Sequence, residues 1–186
     1  MITTQTGGRR GANEERFFVQ TFAERFGGKI IMAHLVAPQK SKPTLPVFYN
    51  VDAVVGAAPA VNNREDVLLV QFAFTVIASK PSPNSSPVFH QAAAAVKPTG
   101  TIDQATINAI RAAQQQARDL GSKSTVVDGR VSPASGGYGY GGPTYTIVNL
   151  NESVQGRNLD LWPRIDKIPG CPPEVKQLVV RTVQGI

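Results

Sequence analysis

Apolar residues recur three and four positions apart in four stretches of the chain, and each recurrence predicts a helix. In the first, Asn13 can cap "EERFFVQTFAERF", where Phe18, Phe22 and Phe26 share a face before Gly27-Gly28 stops the run. In the second, "NNREDVLLVQFAFTVIAS", Asn63 takes the N-cap position and Glu65 and Asp66 the first turn, where the helix dipole favours acids. Val67, Val70, Phe74 and Ile77 then line one side. In the third, Asp103 can cap a helix whose stripe is Ile107, Ile110, Gln114, Ala117 and Leu120, ended by Gly121. The fourth closes the chain, with Pro172 and Pro173 at its first positions and Val175, Leu178, Val179 and Thr182 on its inner face.

The intervening segments read differently. "KIIMAHLV", Lys29 to Val36, is a strand candidate, and the proline-punctuated stretch after it is extended as far as Gly56. The loop "KPSPNSSP" and its continuation "VFHQAAAAVKPTG" separate the second helix from the third. After "DGRVSP" comes the low-complexity "ASGGYGYGGP", and then "TYTIVNLNESV", a short helix or turn. The expected fold is therefore mainly α. It divides into an N-terminal arm, helix and extended segment over 1–49, a helical domain over 50–155, and a C-terminal extension with a helix over 156–186.

Charge narrows the field only slightly. The net charge of +6 would attract polyanions, but seven of the 19 Lys and Arg lie in residues 1–43 against three acids there, whereas residues 44–121 balance at five and five. No basic block with interleaved aromatics accompanies this excess, so nucleic acid is not the expected partner. A single cysteine, Cys171, excludes an internal disulfide and a zinc site of several thiolates. The start "MITTQTGGRRGANEERFF" lacks the apolar run of a secretory signal, and no run reaches membrane-spanning length. The expectation is synthesis in the cytoplasm, with delivery as part of an assembled particle if the protein works at a cell surface.

Four motifs in order carry a resemblance. "EDVLLVQ" holds Asp66, Val67, Val70 and Gln71; "GTIDQAT" holds Asp103 and Thr106 and opens the helix of Ile110 and Gln114; "DGRVSP" holds Asp128 and Gly129; "TIVNLN" ends on Leu150 and Asn151. Together they resemble the peptidoglycan-binding-like domain family over about residues 50–155. The resemblance implies a three-helix core in which the first and last helices pack against Ile107 and Ile110. It also implies a cell-wall ligand, in a protein of the kind found beside phage tails and contractile injection systems. The chain departs from the family pattern at Ala113, where a Phe is usual, in the long loop from Lys80 to Thr99, and in the inserted "ASGGYGYGGP".

Two readings of the Asp128-Gly129 turn stand side by side. Asp-Gly favours a tight turn by its chemistry alone, with Val131 packing inward and Pro133 setting the approach to the last helix. Alternatively Arg130, with Tyr138, Tyr140 and Tyr145 beside it, contacts a ligand; the tyrosines can stack on sugar rings or cover a neighbouring subunit. Catalysis finds no complete set. His34 and His90 sit in apolar surroundings, the serines of "SSPVFHQAA" lack a nucleophile elbow, and no metal-ligand spacing links the histidines to Cys171. Glu65, Asp66 and Asp103 already serve helix starts, and Asp119 lies in a final turn. At the start of a helix the Cys171 thiol can have a lowered pKa, but no base lies near it in sequence. No cofactor or metal is expected. The chain is read as a non-catalytic module that binds peptidoglycan or another wall polymer, or as a structural adaptor that uses the same fold for protein contacts.

Overall fold

A computed structural model describes residues 33–36, 45–134 and 145–183, the side chains of 180–183 excepted. In order these carry β1 (His34–Val36), β2 (Phe48–Asn50), β3 (Val55–Gly56), α1 (Arg64–Ser79), α2 (Pro87–Ala94), α3 (Gln104–Asp119), β4 (Arg130–Val131), α4 (Thr146–Arg157), a 3-10 turn (Ile165–Lys167) and α5 (Pro173–Val183). The described residues are mainly helical, and they belong to one compact unit, residues 32–186. The expected helix of Phe18, Phe22 and Phe26 lies outside them, as do Tyr138 and Tyr140.

Helix α1 is the axis of the fold. Its sequence suggested one apolar side, but every residue from Asp66 to Ile77 except Thr75 is buried, because α2, α4 and α5 all pack around it. A helix apolar on all sides belongs in the middle of a core. Asn63 precedes it without a side-chain capping bond. The acid that matters is Asp66, whose two oxygens accept the backbone N–H groups of Asp52 and Ala53 at 3.1 and 3.0 Å and so tie the chain before β3 to the helix.

Helix α2 falls in the segment read as a connector. Ser86 caps it by accepting from the Phe89 N–H at 3.2 Å, and Pro87 occupies its first position. Its eight residues contain three consecutive alanines and bury Phe89 and Ala93, too short and too bland a pattern for periodicity to register. Helix α3 begins as expected, with Asp103 accepting from the Thr106 N–H and hydroxyl at 2.7 and 2.6 Å. Its stripe does not run to the end: Ile110 and Gln114 are buried, but Leu120, just past the helix, is 68% exposed. The sequence "TYTIVNLNESV" forms a full helix, α4.

Two small antiparallel ladders close the ends. β1 pairs with β2 in the register Leu35 to Tyr49, and β3 pairs with β4 in the register Val55 to Val131. Side-chain amides extend these ladders. Asn151 of α4 accepts from the Tyr49 N–H at 2.7 Å and donates to the Tyr49 carbonyl at 2.9 Å, in place of a neighbouring strand. Asn50 does the same for both backbone groups of Ala134, each at 2.9 Å. Val175, Leu178 and Val179 of α5 bury against the core, as the sequence predicted for that face.

Candidate functional site

The four motifs meet in two matching constructions. Gln71 of α1 accepts the Gly100 N–H at 2.9 Å and donates to the Thr101 carbonyl at 2.9 Å and the Thr106 hydroxyl at 3.1 Å. Gln114 of α3 accepts the Gly129 N–H at 2.9 Å and donates to the Arg130 carbonyl at 2.8 Å and the Thr146 hydroxyl at 3.3 Å. In each case a buried glutamine of one helix grips a glycine, the carbonyl of the next residue, and a threonine in the first turn of the helix that comes after that glycine. Gly100 and Gly129 have φ of +74° and +75°, the left-handed region where a side chain is strained. The turn chemistry and the helix entry are thus held by one amide each.

The Asp128-Gly129 turn is consumed by this structural work. Asp128 accepts from the Gln114 amide, the Arg130 N–H and the Arg130 guanidinium at 3.0, 2.9 and 3.0 Å. Its partial burial acts to raise the carboxyl, but these three donors together hold it below the usual carboxylate range. Gly129 donates to Gln114, its carbonyl accepts from Ala57, and Val131 is fully buried. Arg130 is partly exposed, with its guanidinium on Asp128. Tyr145 precedes α4, half-buried against the core. Of the residues expected to touch a ligand, these two are described, and Gln114 brings their segments together through the Arg130 carbonyl and Thr146. Among the motif residues, Val67, Val70, Ile110, Leu150 and Asn151 are buried in the core.

A different part of the surface is concave. Between α2, α3 and α4 lies an open groove of about 400 Å³, within the size range of small-ligand sites. Ala113, Gln116, Ala117 and Leu120 form its α3 wall, spaced three and four apart on one side of the helix. Asn149, Glu152 and Ser153 form the α4 wall by the same spacing, with Phe89 and Leu150 beneath. Ala113 and Ala117 keep the groove open, since larger side chains there would fill the space between the helices. Neither Arg130 nor Tyr145 lines it. The sequence led to an expectation of a groove between helices near Ala113, but its candidate contacts were Arg130 and the tyrosines, and Gln116, Asn149, Glu152 and Ser153 were not among them.

A second cavity beside Tyr49, Phe72 and Trp162 has a volume of about 20 Å³, room for a single water at most.

The groups considered for catalysis are engaged elsewhere. His90 Nε2 lies 3.0 Å from the Ala78 carbonyl, and Ser86 is bound to the α2 backbone. The exposed His34 lies with Nδ1 2.8 Å from the half-buried Asp52. Burial pushes the Cys171 thiol up to about 12, the reverse of the lowered pKa that its place before a helix suggested. Desolvation here outweighs any help from the helix end, because the sulfur is packed into the core. Among the described residues no three His, Cys, Asp or Glu side chains are grouped to hold a metal ion, and no helix is long and apolar enough to cross a membrane. Compared with family models, curated proteins and solved structures, the chain matches none.

Proposed function

We propose that this protein is a non-catalytic binding module whose ligand is cell-wall peptidoglycan, held in the groove between α2, α3 and α4. The observation that carries the reading is the groove itself: about 400 Å³, with Phe89 and Leu150 beneath and walls that mix small and apolar side chains with carboxamides, hydroxyls and one acid. That mixture suits a ligand that lies against apolar surface and is oriented by a few polar groups. The ordered motifs and their two glutamine grips support a family resemblance, and the resemblance supplies the ligand class.

Co-sedimentation with insoluble peptidoglycan tests this, with a basic protein of equal net charge as control. Raising the salt from about 0.1 M to about 1 M shortens the screening length from about 10 to about 3 Å, which removes attraction due to net charge alone. Retention above the control that survives high salt is the expected result. Retention that vanishes with salt would leave only the charge of +6 as its cause.

A second reading, an adaptor in a phage-tail-like or contractile injection assembly, is favoured by Leu120. This residue stands 68% exposed on the groove's wall. An apolar side chain there suits a protein partner, and pull-down of assembly proteins that is lost in Leu120→Ser would support it.

A further inference from the structure

The Asp128-Gly129 turn carries a chemical liability of its own. It is the one Asp-Gly pair in the chain, which has no Asn-Gly pair, and glycine puts no side chain in the way of an approach to its nitrogen. In a freely moving Asp-Gly segment the glycine nitrogen adds to the side-chain carboxyl carbon of the aspartate before it. A C–N bond forms, a carboxyl C–O bond breaks, and the oxygen leaves as water with the carboxyl proton and the amide proton. Water then opens the resulting cyclic imide at either carbonyl. One opening restores aspartate, and the other gives isoaspartate, whose main chain runs through the side-chain carbon and is longer by a methylene.

Here both reacting groups are held by one carboxamide. Gln114, 2% exposed, accepts the Gly129 N–H at 2.9 Å through its oxygen and donates to the Asp128 carboxylate at 3.0 Å through its nitrogen. The Arg130 N–H donates to the same carboxylate oxygen at 2.9 Å, and the Arg130 guanidinium donates to the other at 3.0 Å. These bonds aim the carboxyl at the N–H beyond the glycine and away from the glycine nitrogen. The Gly129 carbonyl accepts from Ala57 at 2.9 Å, and Gly56 pairs with Arg130 in the β3–β4 ladder, so the turn is also fixed from its far side. Burial acts to raise the Asp128 carboxyl, but its donors hold it below the usual range. The neutral acid, the form that can lose water, is therefore scarce at neutral pH. We infer that Asp128-Gly129 is a site of spontaneous isoaspartate formation that the folded turn keeps closed, with Gln114 as its guard. Reaction proceeds from the opened turn, and the longer main chain of the product no longer matches the spacing shared by the Gln114 grip and the β3–β4 ladder.

Isoaspartate at Asp128 can be followed during incubation near neutral pH by enzymatic methylation of isoaspartyl carboxyls, with the site placed by peptide mapping. The free peptide of residues 125–133 is expected to isomerise about tenfold faster than the wild-type protein, or more, because only the opened fraction of the folded protein reacts. Gln114→Leu is expected to raise the protein's rate about tenfold. Gln71→Leu removes the matching grip at Gly100 and leaves the Asp128 turn bonded, so it should react near the wild-type rate. Circular dichroism melts establish which variants are folded. Should either leucine variant fail to fold, Arg130→Ala and Asp103→Ala make the same comparison: the first takes a donor from the Asp128 carboxylate and should react faster, and the second weakens a distant helix start and should not. Wild type reacting as fast as the free peptide overturns the inference. So does an equal rise in the turn variant and its distant control, or no rise in the turn variant.

Discussion

Each of the two glutamines does the work of a short strand. Gln71 and Gln114 are 0% and 2% exposed, and each satisfies the N–H of a buried glycine and donates to the carbonyl of the residue after it. Leaving such groups unpaired costs about 1–3 kcal/mol each. Gln71→Leu and Gln114→Leu are therefore expected to lower the urea unfolding free energy by about 2–3 kcal/mol each, and a change within error at either position would sink the account. Gln114→Glu is more specific. It keeps an acceptor for Gly129 but places a second carboxylate against Asp128, so its deficit should be larger at neutral pH than at acid pH.

Two aspartates give opposite pH signatures. Desolvation raises the Asp66 carboxyl above its usual range, against the pull of the Asp52 and Ala53 N–H groups. The folded state then holds more protons than the unfolded one between the ordinary and the raised pKa, so Asp66 makes stability fall as pH rises through that window. Asp128 is held low, so its contribution is present above the ordinary pKa and is lost as pH falls through the folded value. Urea midpoints followed from acid to neutral pH should show a shallower acid-side loss in Asp128→Asn than in wild type. Part of that loss will remain through Asp166, which the Arg164 side chain also holds low. An unchanged acid limb in Asp128→Asn would contradict the assignment.

Helix starts separate what residue type can tell from what it cannot. Asn63, Ser86 and Asp103 are all good N-cap residues, but only Ser86 and Asp103 bond the backbone three residues on. Ser86→Ala and Asp103→Ala are expected to cost about 1 kcal/mol, and Asn63→Ala no more than a few tenths. Equal losses at all three would show that Asn63 caps in solution. The same limit explains what was legible in the chain. Helix α3 and the inner face of α5 follow from periodicity because one side of each meets solvent. Helix α1 was found but its environment was not, since a helix enclosed by three others has no polar face to break the pattern. Helix α2 was missed because eight residues rich in alanine carry no period. A groove between helices near Ala113 was expected, but its lining was not legible for a related reason: it consists of stripes of small and polar residues, which look from sequence like ordinary solvent-facing positions.

At the scale of the whole molecule, the described strands β1 to β3 and α5, outside the four motifs, are built into the same core. Tyr49 pairs with Asn151 through both backbone groups, and its hydroxyl donates to the Pro163 carbonyl at 2.6 Å, so β2, α4 and the segment before α5 are joined at one residue. Leu45, Phe48, Tyr49, Val175, Leu178 and Val179 are all buried at 2% exposure or less. Burying each such side chain is worth about 1.5–3 kcal/mol, and a domain's net stability is only about 5–15 kcal/mol. Removing six of them exceeds that margin, even if the fragment's own unfolded chain retains some burial. The fragment 50–155 is therefore expected to be unfolded or molten, with poor dispersion in its amide NMR spectrum. Residues 32–186 are expected to unfold in a single cooperative transition. If 50–155 instead gave a dispersed spectrum and a sharp melt, the strands and α5 would be additions to an independent three-helix unit, and the core described here would be two cores in contact.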